Sequence, residues 1–233
     1  MAGTAEPIID YLSAHVPIGD VTLEGTLSLP QEAAAVVLFA HGSGSGRHSP
    51  RNRHVANVLN EARLATLLID LLTPEEEEFD LFTGELRFNI ALLAHRFVVT
   101  TEWLTQYSDT RRLPIGYFGA STGAAAALVA AAQRPDDVGA VVSRSGRPDL
   151  AGTALPHVRA PTLLIVGGKD IQVIELNEEA LRLLRCEKDL VIVPGATHLF
   201  EEPGALDEVA GLARWWFLRH LNVNMARDAP HDR

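Results

Sequence analysis

The chain has 233 residues, of which 47% are hydrophobic, and it carries a formal net charge of −10 at pH 7. This length and apolar content suit one α/β domain with a sizeable buried core. The acidic balance argues against a nucleic-acid partner, which would require a basic face. The single cysteine, Cys186, excludes a disulfide bond within the chain.

The sequence predicts a cytoplasmic protein without a membrane partner. The first residues, MAGTAEPIIDYL, lack the basic start and apolar run of a signal peptide. No stretch reaches the roughly 18 uninterrupted apolar residues that a membrane helix requires. A lone cysteine also fits a reducing compartment.

In chain order, a half-exposed antiparallel strand is predicted first, because residues 21–29 (VTLEGTLSL) alternate between apolar and polar. Short apolar runs then alternate with helical patterns. The runs predict buried strands at 34–40, 65–71, 114–119, 138–143, 161–167 and 190–194, and the patterns predict helices at 51–64, 88–107, 122–133, 175–185 and 206–221.

Strands that are apolar throughout and alternate with helices predict a mainly parallel sheet covered on both faces. We therefore expect one α/β domain over residues 1–221 and a polar tail over 222–233. The acidic run 75–78 after Pro74 is interpreted as a solvated helix start, which the helix dipole favours.

The strongest chemical signal is the segment Gly119-Ala120-Ser121-Thr122-Gly123, a G-x-S-x-G motif between a predicted strand and an alanine-rich helix. A serine at such a sharp turn is strained, and glycines at 119 and 123 avoid side-chain clashes. The turn would lift the Ser121 hydroxyl above the sheet at a helix N-terminus, where negative charge is favoured. The alternative interpretation is a glycine-rich turn with a capping serine.

A serine nucleophile needs a base and an acid that orients the base. His198 lies in the loop between the last predicted strand and helix, at the carboxyl edge of the sheet. Asp170 follows the preceding strand at the same edge, and the order Ser121, Asp170, His198 is the one expected for this motif. Asp149 is the competing acid, and Asp70 ends a strand that precedes the serine.

The glycine-rich loop His41-Gly42-Ser43-Gly44 follows the first buried strand and predicts an oxyanion hole. We expect the backbone N–H groups of Ser43 and Thr122 to be its donors. Gly42 and Gly44 would let the backbone bend inward, and the His41 side chain would orient the loop by hydrogen bonding.

Two other interpretations of this loop are less well supported. Gly42, Gly44 and Gly46, with Asp70 as a ribose acceptor, resemble a dinucleotide fingerprint, but their spacing is G-x-G-x-G and no Walker lysine follows. The histidines at 41, 48 and 54 match neither common zinc pattern. No metal or cofactor is expected.

Together, HGSGSGRHSPRN, GYFGASTGAAAALVAA, SRSGRPDLAG, PTLLIVGGKD and PGATHLF resemble the dienelactone-hydrolase branch of the α/β hydrolases. They are most similar to its small bacterial serine hydrolases, some of which are fused to phosphoribosyltransferase domains. The resemblance covers residues 21–221. It implies an eight-stranded, mostly parallel sheet flanked by helices, with the nucleophile at Ser121, the acid at Asp170, the base at His198 and the oxyanion donors at Ser43 and Thr122.

The sequence also departs from that branch. Dienelactone hydrolases proper have a cysteine at the elbow, where this chain has Ser121, so a general ester is favoured over dienelactone. Ser145, Gly46 and His54 also differ from what the resemblance leads us to expect.

The predicted activity is hydrolysis of small carboxylic esters, including lactones or thioesters, through an acyl-enzyme intermediate. The connection between the strands at 138–143 and 161–167 is too short for a cap domain. Two alternatives are an acyltransferase with the same triad and a catalytically silent small-molecule binding protein. The expected partners are a small ester and either a second copy of the chain or a fused domain.

Overall fold

The computed structural model of the protein describes residues 7–221, which fold into alternating strands and helices. The strands are β1 (Ile9–Ile18), β2 (Val21–Pro30), β3 (Ala35–Ala40), β4 (Leu64–Ile69), β5 (Ile115–Ala120), β6 (Val138–Arg144), β7 (Thr162–Gly167) and β8 (Lys188–Val193). The α-helices are α1 (Pro50–Glu61), α2 (Pro74–Thr83), α3 (Ile90–Gln106), α4 (Thr122–Gln133), α5 (Ile171–Leu183) and α6 (Ala205–His220). Two 3₁₀ segments lie at Leu86–Phe88 and Pro148–His157.

All eight strands form one sheet in the order β1-β2-β4-β3-β5-β6-β7-β8. β2 is antiparallel to β1 and β4, whereas β3 to β8 pair in parallel. The carboxyl ends of these six strands therefore share one edge of the sheet. The predicted fold class is confirmed.

The first strand was not predicted from the sequence. β1 pairs with β2 along its whole length and forms an edge of the sheet. Only Ala14, Val16 and Ile18 are buried, so its alternation between buried and exposed residues is confined to the second half of the strand. Pro17 also argues against a strand, but an edge strand tolerates a residue without an N–H.

Apolar side chains fill both faces of the sheet. One cluster lies between the sheet and the helices α3, α4 and α5, and the other lies under α1 and α6. The inner strands are buried on both faces, which explains why their sequences are apolar throughout.

Predicted and observed boundaries differ by a few residues at most elements. α5 begins at Ile171, four residues before its predicted start, and Asp170 is its N-cap residue. The β6–β7 connection contains only the 3₁₀ segment Pro148–His157, and the described residues include no separate cap domain. Within residues 7–221, no helix is long and apolar enough to cross a membrane. The predicted tail, 222–233, lies outside the described residues.

Candidate active site

Ser121 occupies a strained turn between β5 and α4. Its backbone has φ 50° and ψ −122°, outside the regions that non-glycine residues normally adopt. Although Ser121 is the N-cap residue of α4, its side chain makes no capping hydrogen bond. The capping-serine interpretation is therefore wrong, and the Ser121 hydroxyl is not engaged by the helix it precedes.

Close backbone packing around the turn explains the flanking glycines. A Cβ atom at Gly119 would lie 2.4 Å from the Ala124 Cα, and one at Gly123 would lie 2.4 Å from the carbonyl oxygens of Ala40 and His41. Both distances are far shorter than carbon atoms tolerate. The motif thus allows α4 to pack directly against β5 and the end of β3.

Asp170 and His198 are brought together by the loops after β7 and β8. The His198 Nδ1 lies 2.6 Å from an Asp170 carboxylate oxygen. The Asp170 side chain is 17% exposed and the His198 side chain is 37% exposed, so the histidine can be reached from solvent while its carboxylate partner is partly buried. A carboxylate on Nδ1 leaves Nε2 available for proton transfer.

The competing acids have other partners. Both carboxylate oxygens of Asp149 accept hydrogen bonds from the Arg147 guanidinium, at 2.8 and 2.9 Å. Asp70 accepts the Arg47 backbone N–H at 2.6 Å and forms an ion pair with the Arg47 guanidinium. The Asp70 carboxylate is therefore already bound by Arg47, which leaves it less suited to accept a hydrogen bond from a ribose.

Within the described residues, no hydrogen bond connects Ser121 to His198. Both side chains are at the carboxyl edge of the sheet, Ser121 after β5 and His198 after β8. Catalytic hydrogen bonds in unliganded enzymes are often long and shorten when substrate binds.

The two predicted oxyanion donors belong to segments that are tied together. The Ser43 Oγ and the Thr122 Oγ1 are 3.1 Å apart and hydrogen-bonded. Thr122 is the first residue of α4, so its backbone N–H has no partner within the helix. A Cβ atom at Gly42 would lie 2.9 Å from the Ser121 Cβ, which shows how closely this loop approaches the elbow.

His41 is buried behind the same loop and holds it in place. Its Nε2 accepts a hydrogen bond from the Leu71 backbone N–H at 2.9 Å. Nδ1 of the neutral ring then carries the proton, and it lies 3.0 Å from the Gly42 carbonyl oxygen. The imidazole thus connects the loop after β3 to the chain after β4. Gly44, further along the loop, has φ +66°.

A cavity of about 360 Å³ opens beside the elbow. Ser43 and Thr122 border it, and so does Gly42, which packs against Ser121. Four leucines provide its apolar surface, and the glycine-rich loop provides much of its polar surface. The remaining lining residues are His41, Gly44, Ser45, Gly46, His48, Asp70, Leu71, Leu72, Glu77, Leu81, Arg87 and Leu93.

The sequence did not predict the wall that α2 and the following 3₁₀ segment contribute to this cavity. The acidic run does start a helix, and Thr73 and Glu76 form a reciprocal capping box. Glu76 is not simply solvated, however, because it binds the buried Arg96 of α3 through both carboxylate oxygens, at 2.5 and 2.6 Å. The Arg96 guanidinium lowers the pKa of Glu76.

The three departures from the expected pattern have different settings. Gly46 lines the cavity next to Asp70, and a Cβ atom there would lie 2.8 Å from a carboxylate oxygen of that residue. His54 is hydrogen-bonded to Asp207 at 2.8 Å. Ser145 is buried at φ 40°, and nothing in the structure explains why serine occupies this position.

The described residues contain no cluster of three or more histidine, cysteine, aspartate or glutamate side chains suited to a metal ion. Of the histidines considered together at 41, 48 and 54, the first two line the cavity and the third does not.

The strand order, the strained serine turn and the Asp170–His198 pair define an α/β hydrolase. Residues 73–217 match the model of the dienelactone hydrolase family, and the chain belongs to that family. A solved dienelactone hydrolase from Anabaena variabilis is 63% identical and superposes with a TM-score of 0.90, covering 91% of this chain and 99% of that one.

More distant and longer relatives complete the comparison. The structure of Est1E from Butyrivibrio proteoclasticus is 16% identical, with a TM-score of 0.76 over 90% of this chain and 99% of that one, and shows the same fold. A Mycobacterium tuberculosis protein named as a phosphoribosyl transferase is 55% identical over 217 residues, which are 93% of this chain and 48% of that protein. The chain thus spans about half the length of this curated relative.

Proposed function

We propose that this hydrolase cleaves small carboxylic esters, with Ser121 as nucleophile, His198 as base and Asp170 as the acid that orients it. The observation that carries the proposal is the 2.6 Å contact between His198 Nδ1 and Asp170 at the sheet edge where Ser121 occupies its strained turn. Family membership supports hydrolysis in general.

In the proposed reaction, the Ser121 Oγ attacks the ester carbonyl while His198 Nε2 takes its proton. The carbonyl oxygen becomes an oxyanion that the N–H groups of Ser43 and Thr122 stabilise. The carbon–oxygen bond to the alcohol then breaks, and His198 returns the proton to the leaving alcohol. Water attacks the acyl-enzyme by the same steps, releasing the acid and restoring the serine.

The cavity supports a small acyl group. Its volume of about 360 Å³ is at the lower end of the range typical of small-molecule sites. Because Ser43 and Thr122 border it, an acyl chain can extend into it from an ester carbonyl held at their N–H groups. Lactones and thioesters present a similar carbonyl, so the proposal extends to them.

Labelling by a fluorophosphonate probe tests the activated serine, and turnover of short acyl esters, lactones and thioesters tests the reaction. We expect the probe to label the wild-type protein and the variant Ser108→Ala, which changes an exposed serine. Both proteins should also turn over substrate. Ser121→Ala should lose labelling and reduce kcat by about 10⁴-fold or more. Folded Ser121→Ala protein with a large fraction of wild-type activity would refute the assignment.

Product analysis separates the proposed hydrolysis from acyl transfer. With a competing alcohol or amine present, a hydrolase releases mainly the free acid, whereas an acyltransferase releases mainly the new ester or amide. Absence of both labelling and turnover in folded wild-type protein would instead favour a binding protein.

A further inference from the structure

The charged residues that line the cavity differ in how they are neutralised. Asp70 is paired with Arg47, which also binds Glu24 at 2.6 Å. The Arg87 guanidinium is held by Asp80, through a 2.6 Å contact from Nε to the carboxylate and a 2.7 Å contact from Nη2 to the carbonyl oxygen. Both of these cavity charges are therefore largely compensated within the fold.

Glu77 is the exception among these lining groups. Within residues 7–221, its carboxylate has neither a hydrogen bond nor an ion pair, although it lies on the cavity side of α2. The preceding residue, Glu76, faces α3 and forms an ion pair with Arg96. Residue 77 is exposed, so water also reaches its carboxylate. Desolvation on the protein side and the neighbouring charge of Asp70 raise the pKa of Glu77.

Glu77 lines the same cavity as the two proposed oxyanion donors, Ser43 and Thr122. It also borders a smaller adjoining cavity of about 30 Å³ together with Thr22 and Glu24. Neither Ser43 nor Thr122 borders that smaller cavity. An acyl chain that starts at the oxyanion donors and fills this cavity would share it with the leucines and with Glu77.

We propose that Glu77 selects the acyl group: the cavity favours acyl chains whose far end carries a positive charge or a hydrogen-bond donor, and it disfavours chains that end in a carboxylate. This inference rests on the proposed ester hydrolysis and specifies its substrate class. A positive group at the far end would supply the partner that Glu77 lacks. A carboxylate there would face Glu77 and Asp70 together.

Three esters of similar chain length test the selection: methyl ε-aminocaproate, methyl heptanoate and monomethyl adipate. Their kcat/KM values are measured at pH 8 for the wild-type protein, Glu77→Gln and the matched control Glu78→Gln. Glu77 and Glu78 are both exposed on the same helix, but only Glu77 lines the cavity.

For wild-type protein and Glu78→Gln, we expect the aminocaproate ester to exceed the adipate ester by about tenfold or more. Glu77→Gln should reduce this ratio by about five- to tenfold, because the substitution removes the charge and keeps the shape. An unchanged ratio in Glu77→Gln would overturn the inference. A wild-type preference for the adipate ester would also overturn it and would point to Arg87 as the recognition group.

Calorimetric binding of the same esters to Ser121→Ala protein separates this inference from the proposed function. Binding in the expected order, lost in the Ser121→Ala/Glu77→Gln double variant, supports the role of Glu77 even if no ester is hydrolysed. Equal binding of all three esters overturns it even if methyl heptanoate is cleaved.

Discussion

The cavity lies between two regions that are held in place by different interactions. On the elbow side, close backbone packing and short polar contacts fix Ser121, Thr122 and the loop at Gly42. On the opposite side, α2 is fixed by an ion pair between Glu76 and Arg96, which lie 20 residues apart in the sequence. The elbow side carries the proposed chemistry, whereas the α2 side carries Glu77, the proposed selector of the acyl group.

This difference has a consequence for substitutions. A change on the elbow side should alter the rate while the fold remains stable, because few buried contacts involve the reacting side chains. A change in the ion pair under α2 should first alter stability. Substitutions on the two sides of the cavity therefore test this division.

Asp170→Asn should lower kcat by about 10³- to 10⁴-fold, because an amide no longer stabilises the charged imidazole and favours the wrong tautomer. The measurement is steady-state hydrolysis of a short acyl ester, with thermal unfolding to show that the fold is retained.

Asp149→Asn is the matched control for this prediction. Asp149 follows the neighbouring strand and forms its own pair with Arg147, so we expect a change in kcat of less than about threefold. If Asp149→Asn were the more damaging substitution, the assignment of the acid to Asp170 would be wrong.

Ser43→Pro should lower kcat by about 10²- to 10³-fold, since it removes the proposed backbone donor to the oxyanion. Ser43→Ala keeps that N–H and loses only the hydrogen bond to the Thr122 hydroxyl, so an effect below about tenfold is expected. The comparison uses kcat for the same ester. Similar losses in the two variants would show that the hydroxyl, and not the N–H, matters.

Arg96→Met should lower the free energy of unfolding by about 2–3 kcal/mol, because it leaves Glu76 without its partner and the Leu71 carbonyl without a donor. Denaturant titration measures the change. The control, Arg159→Met, breaks a pair with Asp136 in which both side chains are largely exposed, and it should cost less than about 0.5 kcal/mol. Equal costs would contradict the structural role of the Glu76–Arg96 pair.

The two sides of the cavity also differ in how far the sequence predicts them. The elbow is encoded locally, by glycines next to Ser121 between a strand and a helix, and the positions of Asp170 and His198 follow from the strands they succeed. The spatial pairing of Asp170 with His198 was thus expected from topology. The proposed preference for Asp170 over Asp149 rests on contacts that the sequence does not show, namely Arg147 with Asp149 and His198 with Asp170.

The α2 wall has no comparable local signal. Glu75 to Glu78 form a uniform acidic run, and nothing in that run shows that Glu76 faces α3 while Glu77 faces the cavity. That distinction depends on where the packing of α3 places Arg96. The edge strand β1 was not predicted for a related reason. Only its second half contains buried residues, so its sequence shows little alternation.

The smallest expected effect concerns the acid dependence of stability. Because the Arg96 guanidinium lowers the pKa of Glu76 in the folded state below its ordinary value of 4.5, the unfolded state binds the proton more tightly. The stabilisation is therefore present above about pH 4.5 and is lost as the pH falls through the lower pKa of the folded state. In Glu76→Gln, the free energy of unfolding should therefore depend less on pH in this acid range. Denaturant titration at several pH values measures this dependence.

Glu202 provides a contrast for this last measurement. Its pKa is also lowered, chiefly by the hydrogen bond from the Thr197 backbone N–H, but the side chain is exposed and lies near His198 rather than under α2. Glu202→Gln should therefore leave the acid dependence closer to that of the wild type than Glu76→Gln does. If Glu202→Gln flattened the profile more, the acid-sensitive contact would belong to the loop that carries His198, and its assignment to the Glu76–Arg96 pair would be wrong.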